Sequence, residues 1–385
     1  MAGSSATLPS PRERLTEMRL AVLSQAGEPA DLVVAADVPV AMASALEVAG
    51  HEVSRVQLPA TPVRCTPASE GAGVRPSCHR PRPSRPDRPE VWEAARLAGK
   101  LVAALDVDAL LLPRGAALVS HLRADAPLVH LPDSAPDGDL DVARRAMARA
   151  DLVVFATRND AAEAVRAGNV EPQRSLAIPW GADITPPSEL ASRRQTVPIH
   201  MLLVAADWTA DGADVALGTM VELQRRGQAA RLTVVGCMPP SDLDVGGLVV
   251  LPGFDRRHEG HRRRLSRLYG EASLMVLPSR EAAAAGLARE AMAHGLVFVA
   301  SDAPAHRELA QLAPGCTVVP AGARPATWAD AVARTCLDPV AHARSCRAVQ
   351  AAYRSELDWA RWADRLVVAV ARIRPPINRP VRPRR

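Results

Sequence analysis

Aromatic side chains are scarce: Phe, Trp and Tyr make up 3% of the 385 residues, against 48% hydrophobic residues overall. A sizeable core is available, but Leu, Val and Ala must fill it. No basic run is interleaved with aromatics, so the stacking platforms that single-stranded nucleic acid needs are missing and no nucleic-acid partner is expected. The six cysteines (Cys65, Cys78, Cys237, Cys316, Cys336 and Cys346) form no CxxC pair. Cys78–His79 has no further ligands at usable spacing, and no metal is expected. Scattered cysteines fit a reducing compartment, so a cytoplasmic location is expected. No apolar run approaches the roughly 20 residues of a membrane span. The opening MAGSSATLPSPRERLTEM has no apolar centre, so no signal peptide is expected there. Contact with a membrane surface through the basic tail stays open. P-loop, HExxH, GxGxxG and an ordered Ser-His-Asp set are all missing, which leaves kinase, dehydrogenase and hydrolase readings without support.

What is present is a modest basic excess, a formal net charge of +5, concentrated at the two ends and around residues 80–88. Such a balance suits small anionic ligands. At roughly 100–200 residues per domain the length predicts two domains.

The most informative stretch is Ser273–Asp302. It reads SLMVLPS, REAAAAGLAREAMAHG, then LVFVASD. An apolar run stops at Pro278–Ser279, a helix-forming run stops at Gly295, and a β-branched run ends at Ser301–Asp302. That is strand, helix, strand, and a crossover of this length implies parallel strands. Ligands of open α/β sheets lie beyond the carboxyl ends of the strands. The loop Pro278–Glu281 therefore offers N–H groups to an anion at the helix start.

The same alternation runs through the rest of the chain. Residues 1–17 are polar. RLAVLS, HEVSRVQL, DALLLP, PLVHLP, DLVVFA and SLAIP read as strands with helices between them, giving a first domain over residues 18–185. Residues 61–90, rich in Pro, Arg and Ser, interrupt it as an exposed insertion, a lid or acceptor loop or simply a solvated one. A Pro-flanked linker covers 186–198. Alternation then restarts over 199–350, a helix spans about 351–375, and 376–385 is a basic tail. Arg256, Arg257 and Arg262–Arg264 read as a solvated helix face.

PSRE followed by GLAREAMAHGLVFVASD resembles the nucleotide-binding signature of retaining group 1 glycosyltransferases of the GT-B fold. The strand–helix–GHEV opening, the IPWGAD run after SLAIP, MLLVAADW, and the closing LDWARW are similar to that family as well. The resemblance implies two doubly wound Rossmann-like domains facing a cleft, with the last helix crossing back to the first domain. It implies sugar transfer from a nucleotide-sugar donor, bound mainly on the second domain, to a small-molecule or glycan acceptor, with no metal or other cofactor. Glu290 would hold the nucleotide ribose, since a carboxylate accepts from two hydroxyls. Glu281 would lie near the donor sugar, beside Ser279, Gly286 and Leu287. Gly236 and Gly253 would let backbone approach base and phosphates, with Asp207 and Trp208 on the neighbouring loop. His130, Asp133, Gly181 and Asp37 would line the acceptor side, with His130 also a catalytic candidate.

The sequence departs from the family at several places, among them Ala284 and Ala285, where Phe and Gly are usual, with Gly286 shifted by one. Glu281 precedes Glu290 by nine positions, where the family spacing of eight falls on Ala282. The first loop reads AADVP, with Asp37 near the place where the family has Gly. Ala210 and Asp211 occupy the places of the Arg and Lys that neutralise the donor diphosphate, and a charge-assisted hydrogen bond from either cation would contribute roughly 1.5–3 kcal/mol. Either another cation such as Arg280 takes over, or the fold is kept without full donor binding.

Overall fold

The computed structural model describes residues 17–25, 38–58, 89–132, 140–184, 198–241, 243–279 and 284–373. Asp37, Asp133, Arg280, Glu281, most of the Pro-rich insertion and the basic tail lie outside the described residues.

The first lobe is built on β1 (Arg19–Gln25), β2 (Glu52–Leu58), β3 (Ala109–Pro113), β4 (Leu128–Leu131), β5 (Leu152–Phe155) and β6 (Ser175–Ala177). Between them run α1 (Val38–Val48), α2 (Pro89–Ala103), α3 (Ala116–His121), α4 (Leu140–Arg149) and α5 (Arg158–Arg166). Every strand pairing is parallel, in the order β2-β1-β3-β4-β5-β6. The inner strands ALLLP, LVHL and LVVF are buried at every position. Continuous apolar runs are what parallel strands covered on both faces require.

The second lobe repeats the plan with β7 (Ile199–Val204), β8 (Ala230–Gly236), β9 (Leu248–Pro252), β10 (Leu274–Leu277), β11 (Phe298–Ser301) and β12 (Thr317–Val319). Its helices are α6 (Ala213–Arg225), α7 (Glu259–Glu271), α8 (Ala284–Ala293), α9 (Pro304–Leu312), α10 (Pro325–Cys336) and α11 (Pro339–Ala352). The order β12-β11-β10-β7-β8-β9 is the doubly wound Rossmann order, reversing direction between β7 and β10. Helices α10 and α11 were not expected. Each opens on a proline in its first turn, a position where the missing N–H costs nothing.

The closing helix is not the single rod that YRSELDWARWADRL suggests. A π turn over Tyr353–Leu357 ends at Asp358, which is extended at φ −67° and ψ 142°, and α12 (Trp359–Ile373) starts anew. That break turns the chain back onto the first lobe. Trp362, Leu366, Val367 and Val370 of α12 are buried among Val38, Met42 and Leu46 of α1 and the apolar face of the first sheet. The indole N–H of Trp359 donates to the Ala182 carbonyl at 2.7 Å, and the Ala182 N–H donates to the Tyr353 hydroxyl at 3.0 Å. The segment Trp180–Asp183, where the first lobe ends, is thus clamped by the far end of the chain.

Candidate functional site

The reversal between β7 and β10 opens a crevice beyond their carboxyl ends, the place where such sheets take ligands. Two loops flank it. One runs from Ala205 to Gly212 and starts α6; the other begins at Pro278–Ser279 and leads toward α8. They touch closely: Gly212 has φ +76°, and a Cβ there would lie 2.5 Å from the Pro278 Cβ. Only glycine meets both demands.

The first loop is held by its own carboxylates. Asp207 Oδ1 accepts from the N–H groups of Thr209 (2.9 Å) and Ala210 (2.7 Å). Asp211 Oδ2 accepts from Ala206 (2.8 Å) and Asp207 (3.1 Å). Asp211, standing where the family has a cation, is therefore bound back to its loop, and four N–H groups are already satisfied. Trp208 is buried and takes the Ala213 N–H on its carbonyl. The nearby Cys237 thiol is pushed up to about 11 by burial, with Asp211 and Asp207 adding to the rise.

The second loop is anchored from β11. Ser301 Oγ donates to the buried Ser279 carbonyl at 2.6 Å, and His306 Nδ1 donates to the Ser301 carbonyl at 3.0 Å. Gly236 and Gly253, both with positive φ, end or follow β8 and β9 at the same edge of the sheet. Gly286 is half-buried at the start of α8, while Leu287 points into the lobe's core.

Glu290 lies deeper. It is 1% exposed, and its carboxylate is already in use. Arg256 Nη2 donates to Oε1, and the Tyr269 hydroxyl donates to Oε2 at 2.7 Å. Arg256 also lies 3.6 Å from Asp183, which Arg262 holds at 3.1 Å. Burial pushes the Glu290 carboxyl up, and the Arg256 guanidinium and Tyr269 hydroxyl act against that rise. Burial and the Glu290 charge push the Tyr269 phenol well up. His294, one turn after Glu290, donates from Nδ1 to the Glu290 carbonyl, accepts from Ser266 at 2.9 Å, and stacks on Tyr269 at 4.9 Å. The pair Ser266/Tyr269 on α7 thus meets Glu290 of α8 and His294 just past its end.

Two expectations are corrected here. Arg256 is no solvated residue: it is 4% exposed, the buried partner of Glu290. His130 is no cleft acid or base. It sits inside the first sheet, donates from Nδ1 to the Leu112 carbonyl at 3.2 Å, and burial pushes it down to about 4. A ring buried that way stays neutral near pH 7. Gly181 lies beneath Trp359, whose Cδ1 would be 2.4 Å from any Cβ added there, so its smallness is explained by packing. Tyr269 was available as a signal in the sequence. It is one of only two tyrosines, and a buried phenol needs a polar partner. Arg256 gave none, because its partners lie 34 and 73 positions away.

Residues 199–338 match the family model described as glycosyl transferases group 1. The match spans most of the second lobe. No curated protein matches the chain in sequence. Among solved structures, sucrose-phosphate synthase from Thermosynechococcus elongatus is similar at TM-score 0.63 and 16% identity, covering 93% of this chain and 99% of its own. Anabaena HepE, solved in complex with UDP and glucose, gives TM-score 0.61 at 15% identity, covering 92% and 100%. The α,α-trehalose 6-phosphate synthase from Burkholderia multivorans gives 0.59 at 16%, covering 95% and 100%. At these identities the likeness establishes the fold alone, the two-lobed GT-B architecture. Among the described residues no group of three or more His, Cys, Asp or Glu is placed to hold a metal ion, and no helix is long and apolar enough to cross a membrane.

Proposed function

We propose that the protein is a cytoplasmic, hexosyltransferase-like glycosyltransferase that moves a sugar from a nucleotide-sugar donor to a small-molecule or glycan acceptor, with retention of configuration and no metal or other cofactor. A natural-product acceptor suits this reading. The observation that carries it is the switch-point crevice of a lobe matching group 1 glycosyl transferases, flanked by 205–212 and by the Pro278–Ser279 loop. A protein of the same architecture, HepE, was solved with UDP and glucose. As the glycosidic bond breaks, negative charge grows on the leaving diphosphate and needs neutralising. With Ala210 and Asp211 in place of the cations, we assign that role to Arg280, next along the chain from Ser279. Glu281 is assigned to the donor sugar, and Glu290, Ser279, Gly236 and Gly253 to the nucleotide.

The test is calorimetric titration with UDP, GDP, ADP and dTDP, followed by assays of nucleotide release from the matching sugar nucleotides. Binding of one diphosphate, weakened about tenfold or more by Arg280→Ala, is the expected outcome. Failure of every nucleotide to bind would overturn the reading. The buried Arg256–Glu290 pair favours a second reading, a catalytically impaired homologue acting as a binding or auxiliary partner, because the carboxylate needed for the ribose is engaged inside the protein. Absence of nucleotide binding by the folded protein selects that reading.

A further inference from the structure

The two lobes meet at a second place, away from the Trp180–Asp183 clamp. Glu308, on α9 of the second lobe, reaches the start of α5 in the first lobe. Its carboxylate accepts the Arg158 N–H at 3.0 and 2.9 Å and the Asn159 N–H at 3.3 Å. The next N–H, of Asp160, is taken by Thr157 Oγ1 at 3.0 Å, and that of Ala161 by the Thr157 carbonyl at 3.3 Å. The first turn of α5 is therefore fully capped, half of it by a residue 150 positions away. The charge is right as well, since a helix N-terminus carries partial positive charge and favours a carboxylate.

We propose that Glu308 is an inter-lobe latch that sets how often the cleft is closed. Three features support a latch over a permanent joint. The contact is solvent-exposed, unlike the buried hydrogen bond between Ala182 and Tyr353. It uses one side chain against two backbone groups, so it breaks without unfolding either lobe. When broken, Arg158 and Asn159 N–H and the Glu308 carboxylate all pass to water, which satisfies them. Through α9 the latch is also tied to the crevice, because His306 of α9 donates to the Ser301 carbonyl and Ser301 Oγ donates to the Ser279 carbonyl. A ligand that grips both lobes binds the closed form, so its apparent affinity scales with the closed fraction. The latch itself does not depend on what that ligand is.

Small-angle scattering of the full chain tests this. Glu308→Ala removes the acceptor. Arg158→Pro removes one donor from the other side, at a helix position that accepts proline. In each folded variant the ratio of open to closed forms is expected to rise about fivefold, in keeping with one carboxylate at a helix end. At about 1 M salt, where the screening length falls to about 3 Å, the parent should open as well and Glu308→Ala should respond little. Circular dichroism melting confirms that the variants remain folded. If both folded variants scatter as the parent does at low and high salt, the proposal is overturned.

Discussion

Arg256 and Glu290 form an ion pair inside the second lobe, with side chains 4% and 2% exposed. Neither charge survives there alone. Arg256 holds α8, through Glu290, to the loop after β9 and stands 3.6 Å from Asp183 at the end of the first lobe.

Removing one partner should therefore cost far more than replacing both. Arg256→Met leaves Glu290 buried without its cation, and a loss of about 3–5 kcal/mol is expected. The thermal midpoint should fall by about 10 °C. Arg256→Met combined with Glu290→Gln should recover most of that loss, because no unpaired charge stays buried and the amide oxygen still accepts from the Tyr269 hydroxyl. Calorimetric melting of the single and double variants checks this, and a double variant no better than the single one would show that packing dominates.

Acid should destabilise the first lobe through His130. Above pH 6.5 its ring is neutral in the folded and the unfolded chain. Between 6.5 and about 4 the unfolded chain takes up a proton that the buried ring refuses, so stability is lost as pH falls. At 1.36 kcal/mol per pH unit the full loss is about 3 kcal/mol. His200, also pushed down to about 4 by burial and then Arg231, adds a similar trend in the second lobe. His130→Gln should flatten the acid limb of a melting-temperature profile across that window, and an unchanged slope would assign the acid sensitivity elsewhere.

Gly181→Ala should loosen the crossing helix. The added Cβ would sit 2.4 Å from Trp359 Cδ1, beside the indole N–H bond to Ala182. Overpacking of this kind costs about 1–3 kcal/mol. Trp359 fluorescence should shift to the red as the indole leaves its site, and an unmoved spectrum with an unmoved melting point would contradict the packing account.

Asp211→Asn should help any anion at the switch-point crevice. It keeps an acceptor for the Ala206 and Asp207 N–H groups and removes one negative charge. At a separation of about 6 Å and an effective dielectric of about 20–80 that charge is worth roughly 1–3 kcal/mol. Nucleoside diphosphate affinity should rise about fivefold or more by titration calorimetry. An unchanged affinity would place the phosphates away from this loop.

The alternation of elements was legible because parallel strands covered on both faces must be uninterrupted apolar runs, and ALLLP, LVHL and LVVF are. The helix–strand punctuation at Gly295 and Pro278 was equally local. What the chain hid are relations between distant residues. Arg256 sits among charged neighbours, so it read as solvated, and only the fold brings Glu290 and Tyr269 to it. Glu308 is one helical Glu among several until α5 is set against it. His130 read as a strand-end residue open to the cleft, whereas its ring turns into the sheet. The two helices missed, α10 and α11, carried their start signals in Pro325 and Pro339.

The buried face of α12 has one more consequence. The first lobe needs Trp362, Leu366, Val367 and Val370 to seal its apolar surface, and these follow the whole of the second lobe in sequence. The second lobe's sheet is continuous in sequence from Ile199 to Val319, and its core is complete at Leu357. During synthesis, then, the lobe translated later has its core residues complete first, and the N-terminal half waits for α12.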